Sequence, residues 1–110
     1  MPNAVTTVTN INGYTTPIGN RALAVKEIAW NTGNYPAGGF PIGKQTFGLR
    51  GIDTAWGGIS NGGHYYVETQ VLTPGASQVS VRLFVLSTGI EVATGAALTA
   101  DYVTIGVIGG

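Results

Sequence analysis

The sequence contains no cysteine, and only 9% of its 110 residues are charged. The absence of cysteine excludes disulfide bonds, thiolate metal sites and thiol chemistry. Five basic and five acidic residues give a formal net charge of zero, so the chain lacks the basic surplus with which nucleic-acid-binding proteins hold phosphates. The surfaces of free-standing soluble domains usually carry about a quarter to a third charged residues. We therefore expect part of this surface to pack against copies of the chain or against a larger partner.

Long apolar runs are also missing. No stretch approaches the roughly 20 apolar residues that a membrane-spanning helix needs. The opening residues, "MPNAVTTVTN", lack the basic start and apolar run of a signal peptide. We therefore expect a protein that is made in the cytoplasm and is not directed to export.

What the chain has in abundance is glycine, with 18 residues, together with threonine and valine. This composition favours short strands joined by tight turns. The pattern predicts seven strands, over residues 4–11, 20–30, 50–56, 64–71, 77–86, 90–94 and 101–108. Turn signals every 8 to 12 residues are typical of an antiparallel β-sandwich or barrel. We expect one all-β domain over 1–110, with a short helical turn within 44–49 and a possible extended N-terminal arm over 1–12.

Two strand patterns indicate which side chains face the core. The segment 77–86 alternates clearly: Val79, Val81, Leu83 and Val85 fall on one face. In the segment 20–30 the alternation leaves two possibilities. Leu23 and Val25 share one face, and Ile28 and Trp30 fall on the other unless the pair Lys26-Glu27 forms a β-bulge.

The stretch "YPAGGFPIGKQT" comes within one residue of a nucleotide-binding loop, since Gly38, Gly43 and Lys44 fit G-x-x-x-x-G-K. A phosphate-binding loop leaves a buried parallel strand and opens a helix. Here the preceding segment is rich in Asn, Gly and Pro, Pro41 removes one N–H donor, and Gln45 replaces the metal-binding hydroxyl. We interpret the match as a coincidence of glycine abundance and expect no cofactor.

Candidates for catalysis and metal binding are few. His64 is the single histidine, and a Ser-His-Asp arrangement or a metal site needs further groups that no spacing in the chain supplies. Asp53, Glu68 and Asp101 could be paired carboxylates for glycoside hydrolysis. Salt bridges, Arg50 with Asp53 or Arg82 with Glu68, are equally good explanations. We assign no catalytic and no metal-binding residue.

The aromatic residues leave one alternative open. Five of them could form a carbohydrate-binding platform: Trp30, Tyr35, Trp56, Tyr65 and Tyr66. Tyr65 and Tyr66 point to opposite faces of a strand, so at least one should face the core. Sugar binding predicts clustered, exposed aromatics, whereas an assembly role predicts aromatics that are buried or lie between subunits.

The order of features over about residues 6–56 resembles the N-terminal half of small structural proteins of tailed bacteriophages. The matching motifs are Gly19-Asn20-Arg21, Tyr35-Pro36-Ala37-Gly38-Gly39 and Phe47-Gly48-Leu49. They are turn and packing motifs rather than chemical ones. The chain departs from the pattern after Gly39, where Phe40 stands in place of a polar or acidic residue.

The resemblance implies a virion component without catalysis, most simply a capsid decoration (cement) protein on the capsid surface. Its partners would be the major capsid protein and its own copies, with a trimer favoured, and it would not bind nucleic acid or membrane. A tail or baseplate component and a carbohydrate-binding β-sandwich module are the alternatives. We expect the loop 31–43 to protrude and to contact the capsid or a sister subunit. Its contact residues would be Tyr35, Pro36, an exposed Phe40, Pro41 and Ile42.

Overall fold

A computed structural model describes residues 3–10, 16–18 and 20–110 of the chain. These residues form strands β1 to β8 and a single turn of 3-10 helix. The elements are β1 (Thr6–Asn10), β2 (Thr16–Ile18), β3 (Arg21–Trp30), β4 (Phe40–Gly43), the 3-10 turn (Lys44–Phe47), β5 (Ile52–Trp56), β6 (Tyr65–Gln70), β7 (Gln78–Val85) and β8 (Asp101–Gly109). The prediction of an all-β fold with one short helical turn is confirmed.

The strands form two antiparallel sheets. In the first sheet the order is β1-β3-β8-β5, and β2 also pairs with β3. In the second sheet the order is β4-β7-β6. The core lies between the inner faces of the two sheets, as in a β-sandwich.

Strand β3 shows no bulge. Its register with β8 runs without a shift from Ala22 to Trp30. Strict alternation therefore places Ile28 and Trp30 in the core and leaves Leu23 and Val25 half-buried on the outer face. Of the two possibilities that the sequence left open, the regular strand is correct.

The predicted core faces of the two longest apolar strands are also confirmed. Three side chains of β7 and three of β8 are almost fully buried: Val79, Val81, Leu83, Val103, Ile105 and Val107. Strands β7 and β8 are thus opposite walls of one core. The apolar end of the chain is explained in the same way, because β8 lies between β3 and β5 in the first sheet.

Short bridges connect the two sheets at their margins. Ile52 of β5 exchanges two backbone hydrogen bonds with Ala76, which precedes β7. On another margin Ile59 pairs with Tyr66 of β6, and the N–H of Asn61 donates to the carbonyl of Tyr102 in β8. These bridges tie the sheets together without merging them.

Several sequence expectations differ from the fold. The segment 90–94 is not a strand and makes one isolated bridge, between Glu91 and Phe84. Strands β2 and β4 were not predicted, because each is short and contains a proline, which pattern analysis treats as a strand breaker. The N-terminal segment is not a free arm over Thr6–Asn10, where it forms β1. The predicted Asn12-Gly13 turn lies outside the described residues.

Candidate functional site

The residues predicted to contact a partner are divided between core and surface. Tyr35, Phe40 and Ile42 are buried, with exposed fractions of 1%, 4% and 4%. Pro36 is half-buried, and Pro41 is exposed. The expectation of an exposed Phe40 is wrong, because the end of the loop is strand β4, whose alternation turns Phe40 and Ile42 towards the core.

Phe40 has a structural role at the centre of the sandwich. Its ring stacks on Trp30 of the first sheet, with centroids 6.3 Å apart, and meets Tyr35 edge to face at 6.0 Å. Aromatic pairs of this kind contribute about 0.5–1.5 kcal/mol each beyond the burial of their area. The rings therefore hold the two sheets together and are unavailable to a partner.

The loop before β4 is held down rather than protruding. The N–H of Tyr35 donates to the carbonyl of Ala96, and the N–H of Gly95 donates to the carbonyl of Tyr35. Gly39 has φ of 89°, and a Cβ there would overlap the carbonyl oxygen of Val81. The Tyr-Pro-x-Gly-Gly segment is thus a shaped turn, as expected, but it lies close against the fold.

A polar network surrounds the hydroxyl of Tyr35. The hydroxyl donates to Oε2 of Glu91 over 2.8 Å and accepts from the N–H of Leu83 over 3.1 Å. Arg82 binds the same carboxylate with two donors, at 2.6 and 3.2 Å. Burial, opposed in part by the hydrogen bond from Leu83, raises the pKa of Tyr35 to about 12. The hydrogen bond from Arg82, helped by that from Tyr35, lowers the pKa of Glu91.

The salt bridges involve partners other than those predicted. Arg82 binds Glu91 rather than Glu68, although Glu68 lies directly opposite it in the register of β6 and β7. Asp53 binds Arg21 at 3.2 Å rather than Arg50. Arg21 is distant from Asp53 in the sequence, and Glu91 lies in the segment 90–94, which was predicted as a strand and forms only an isolated bridge.

The outer face of the second sheet carries a row of apolar side chains. The register places Phe84 of β7 opposite Tyr66 of β6, and Tyr66 opposite Ile59. Leu86 lies just beyond the end of β7, beside Tyr66 and Phe84. Ile59, Tyr66 and Leu86 are 60%, 46% and 42% exposed. We call the surface formed by Ile59, Tyr66, Phe84 and Leu86 the Tyr66 face.

A shallow cleft of about 370 Å³ opens on the Tyr66 face. Its walls are Tyr66, Glu68, Phe84, Val85, Leu86 and Gly89. The guanidinium of Arg82 lies 5.6 Å from the centroid of the Phe84 ring, at the edge of the cleft. Two aromatic rings and one exposed carboxylate thus come together here. Sequence analysis missed this pairing because it treated Phe84 only as the outer side of a strand.

The other predicted platform aromatics do not join this cleft. Trp30 and Tyr65 are buried, and their polar atoms are paired: the indole N–H of Trp30 donates to the carbonyl of Thr99, and the Tyr65 hydroxyl accepts from the N–H of Thr99. Trp56 is exposed but lies in β5 of the first sheet. The five aromatics therefore do not form one platform.

His64 belongs to a cluster that resembles catalytic machinery and has Asp101 at its centre. Its Nδ1 lies 3.1 Å from Oδ2 of Asp101, and the hydroxyl of Ser60 donates to the same oxygen over 2.7 Å. In a catalytic triad the serine contacts the histidine, which acts as its base. Here Ser60 and His64 both contact the Asp101 carboxylate, and Ser60 is only 2% exposed. A nucleophile so placed is neither activated nor accessible.

The cluster instead stabilises a turn. The N–H groups of Gly62 and Tyr102 also donate to the Asp101 carboxylate. Burial alone would raise the pKa of Asp101, but the hydrogen bonds from Ser60, His64 and the two N–H groups outweigh it and lower the pKa to about 2. Asp101 thereby fixes residues 60–64 to the start of β8.

The apparent phosphate loop has a different structure. Gly38 ends a turn, whereas Gly43 has extended backbone at the end of β4, and Lys44 begins a 3-10 turn of four residues. Strand β4 is antiparallel to β7. No cradle of converging N–H groups forms between Gly38 and Lys44, since a strand occupies most of that stretch.

Over residues 3–10, 16–18 and 20–110, no three His, Asp or Glu side chains come together as metal ligands would. The same residues contain no helix that is long and apolar enough to cross a membrane.

Comparison of this chain with known proteins found no matching family, no matching curated protein and no matching solved structure. The fold and the surfaces described above are therefore the basis for any functional inference.

Proposed function

We propose that this chain is a non-enzymatic structural protein of a tailed-bacteriophage virion, a capsid decoration protein that binds the major capsid protein. The observation that carries the proposal is the Tyr66 face, an exposed apolar surface on a chain with very few charges. The resemblance of residues 6–56 to small phage structural proteins supports the same assignment.

The Tyr66 face has the chemistry of a protein interface. Aromatic residues are enriched in the centres of such interfaces, and charged residues are depleted there. Ile59, Tyr66 and Leu86 each expose a large apolar side chain, and burying one contributes up to about 1.5–3 kcal/mol. A partner bound to the Tyr66 face would remove from water the apolar surface that this domain exposes on its own.

The contact surface proposed here retains one of the residues expected from the sequence. Pro41 is exposed and lies opposite Ser80 of β7, so it belongs to the outer side of the second sheet, as Tyr66 does. Tyr35, Phe40 and Ile42 belong to the core. The partner would therefore contact the flat side of the sheet, with Pro41 at its margin.

A decoration protein can stabilise a capsid even if its affinity for each single lattice site is low. A virion offers many identical positions, and ligand binding to an assembled lattice stabilises it by mass action. Individual interfaces of modest size can then suffice. The proposed partner is the assembled lattice.

The test is a mixing experiment with heads of the encoding phage assembled without this protein. We expect saturable binding at a fixed number of lattice sites, measured by sedimentation and cryo-electron microscopy. The variant Tyr66→Ser/Leu86→Ser should bind at least about tenfold more weakly. The matched control is Val5→Ser, which removes a 63% exposed apolar side chain next to β1 of the first sheet and should bind normally.

Three results would contradict the proposal in different ways. Equal binding by the double variant and the wild type would remove the Tyr66 face from the interface. Absence from heads, with the protein found in purified tails, would make it a tail or baseplate component. Absence from virions altogether would exclude the structural role.

A second candidate function rests on the cleft. Stacked aromatic faces with a nearby carboxylate are a usual composition for a small-molecule site, and Tyr66, Phe84 and Glu68 provide them for a saccharide. Titration calorimetry with a panel of neutral oligosaccharides tests this function. Glu68→Gln should weaken saccharide binding and leave an apolar protein interface unchanged. No heat of binding for any member of the panel would exclude it.

A further inference from the structure

The edges of the two sheets differ in how they are protected. An unpaired strand edge presents a row of backbone N–H and C=O groups to any other chain, and proteins block such edges with prolines, bulges, charges or covering segments. The first sheet is bounded by β5 on one side and by β1 and β2 on the other, and the second by β4 and β6.

Two of these edges are covered by other parts of the chain. Strand β5 is bridged through Ile52 to Ala76, and its register shifts between Ile52 and Thr54. Strand β6 receives the segment 58–60: the N–H of Ser60 donates to Tyr65, and the N–H of Val67 donates to Gly58. The outer side of β6 is thus paired, and β5 is bridged at Ile52, next to an irregularity in its register.

Two further edges are protected by length and by proline. Strand β4 has four residues and includes Pro41, which has no N–H to donate. Strand β2 has three residues and includes Pro17. Short, proline-containing edges are poor templates for pairing.

Strand β1 lacks all of these devices. Its five residues, Thr6–Asn10, contain no charge, no proline and no glycine. In the part of the chain that the structure describes, β1 pairs only with β3, in a register without a shift. Among the strand edges in the described part of the chain, β1 is therefore the one without a proline, a bulge, a charge or a bridging segment.

The backbone of β1 is oriented for a new partner. The N–H of Asn31 donates to the carbonyl of Val5, which makes Val5 and Asn31 a hydrogen-bonded pair. Because such pairs alternate in an antiparallel ladder, Thr7 and Thr9 bond to β3. The backbone groups of Thr6, Val8 and Asn10 then point away from β3, to the open edge.

We propose that β1 pairs antiparallel with β1 of a second copy of this chain, with the two-fold axis at Val8. In this register Thr7 lies opposite Thr9 of the partner subunit. Threonine pairs across strands are favourable, and like charges in these positions would be unfavourable; the strand carries none. Such a two-fold pairing forms a closed dimer. It joins the first sheets of the two subunits into one continuous sheet.

This inference deepens one part of the proposed function, the expected homo-oligomer, and replaces the trimer with a two-fold dimer. It does not depend on a capsid, because the edge belongs to the chain itself. The Tyr66 face lies on the other sheet and stays free in the dimer.

The test uses two variants that differ only in the sign of the charge at residue 7. Thr7 and Thr9 are exposed, so both can be changed without altering the core. Thr7→Lys/Thr9→Lys places lysine opposite lysine in the dimer. Thr7→Glu/Thr9→Lys places glutamate opposite lysine, and in both variants the lysine at 9 faces Glu27 within the subunit.

We expect wild type and Thr7→Glu/Thr9→Lys to sediment as dimers and Thr7→Lys/Thr9→Lys to dissociate about tenfold more readily. Circular dichroism melts establish that each variant is folded. Equal dissociation of the two variants, a monomeric wild type, or a trimer that both variants preserve would overturn the pairing. None of these outcomes bears on capsid binding, which the Tyr66→Ser/Leu86→Ser experiment tests separately.

Discussion

The indole ring of Trp56 lies directly on Gly106, its register partner on the neighbouring strand. A Cβ at position 106 would overlap the ring. Trp56 is 47% exposed, so one ring face covers the backbone of β8 and the other faces solvent. The glycine in the middle of an otherwise apolar strand is thus explained by a close approach rather than by a turn.

Replacing Gly106 by alanine should therefore destabilise the protein by about 1–3 kcal/mol, because the indole must move off the strand. Urea denaturation measures the change. The control is the same substitution in a Trp56→Ala background, where the space is open and the cost should nearly vanish. A cost that is the same in both backgrounds would show that the ring is not the obstacle.

Tyr35→Phe should cost about 1–3 kcal/mol, because the buried N–H of Leu83 loses its acceptor. Glu91 would lose a donor at the same time but keep Arg82. The matched control is Tyr66→Phe, whose hydroxyl is on an exposed residue and whose effect should be within about 0.5 kcal/mol. Similar losses for both variants in denaturant unfolding would contradict the buried role of the Tyr35 hydroxyl.

The Asp101 cluster should make stability depend on acid. The folded pKa of about 2 is below the ordinary value of 3.8, so the stabilisation is complete above about pH 4 and is lost as the pH falls from 4 towards 2. Its size is about 1–2 kcal/mol. Asp101→Asn should be less stable at neutral pH, and its free energy of unfolding should fall less between pH 4 and pH 2. Glu68→Gln should show the same loss of stability in acid as the wild type. An equal loss of unfolding free energy in acid for wild type and Asp101→Asn would show that Asp101 is not the source of the pH dependence.

Phe40→Ala should destabilise the protein by about 3–5 kcal/mol, since it leaves a cavity between the two sheets. The neighbouring Pro41→Ala, on the exposed side of the same strand, should change stability by less than about 1 kcal/mol. Thermal melts of the two variants measure the difference. A stable Phe40→Ala protein would mean that this ring does not join the sheets.

The sequence predicted the parts of this fold that regular alternation specifies. Residues 79–85 of β7 and 103–107 of β8 have Val, Leu or Ile at every second position. Alternation with a period of two indicates a strand with one buried face. The bulge that the pair Lys26-Glu27 suggested does not form, because nine consecutive pairs with β8 hold β3 in register. That constraint comes from a strand more than 70 residues away and has no local signal.

The errors have a common cause in contacts between distant segments. Phe40 was expected at the surface because glycine and proline surround it, yet four backbone positions pair with β7 and turn the ring inward. Ser60, His64 and Asp101 meet across a separation of 37 to 41 residues. No spacing in the chain marks such a cluster, and only the fold shows that its carboxylate holds a turn.

The ion pairs have a kinetic consequence. Two of the five acidic side chains are paired with arginine within the subunit, Asp53 with Arg21 and Glu91 with Arg82, and Asp101 is held by several hydrogen bonds. The electrostatic field that extends into solvent is therefore weak and does not steer a partner towards the protein. Association would proceed by diffusion alone, with rate constants of about 10⁵–10⁶ M⁻¹s⁻¹. Those rates should change little with ionic strength, and the lifetime of each complex, rather than the speed of encounter, would determine how long the protein stays attached.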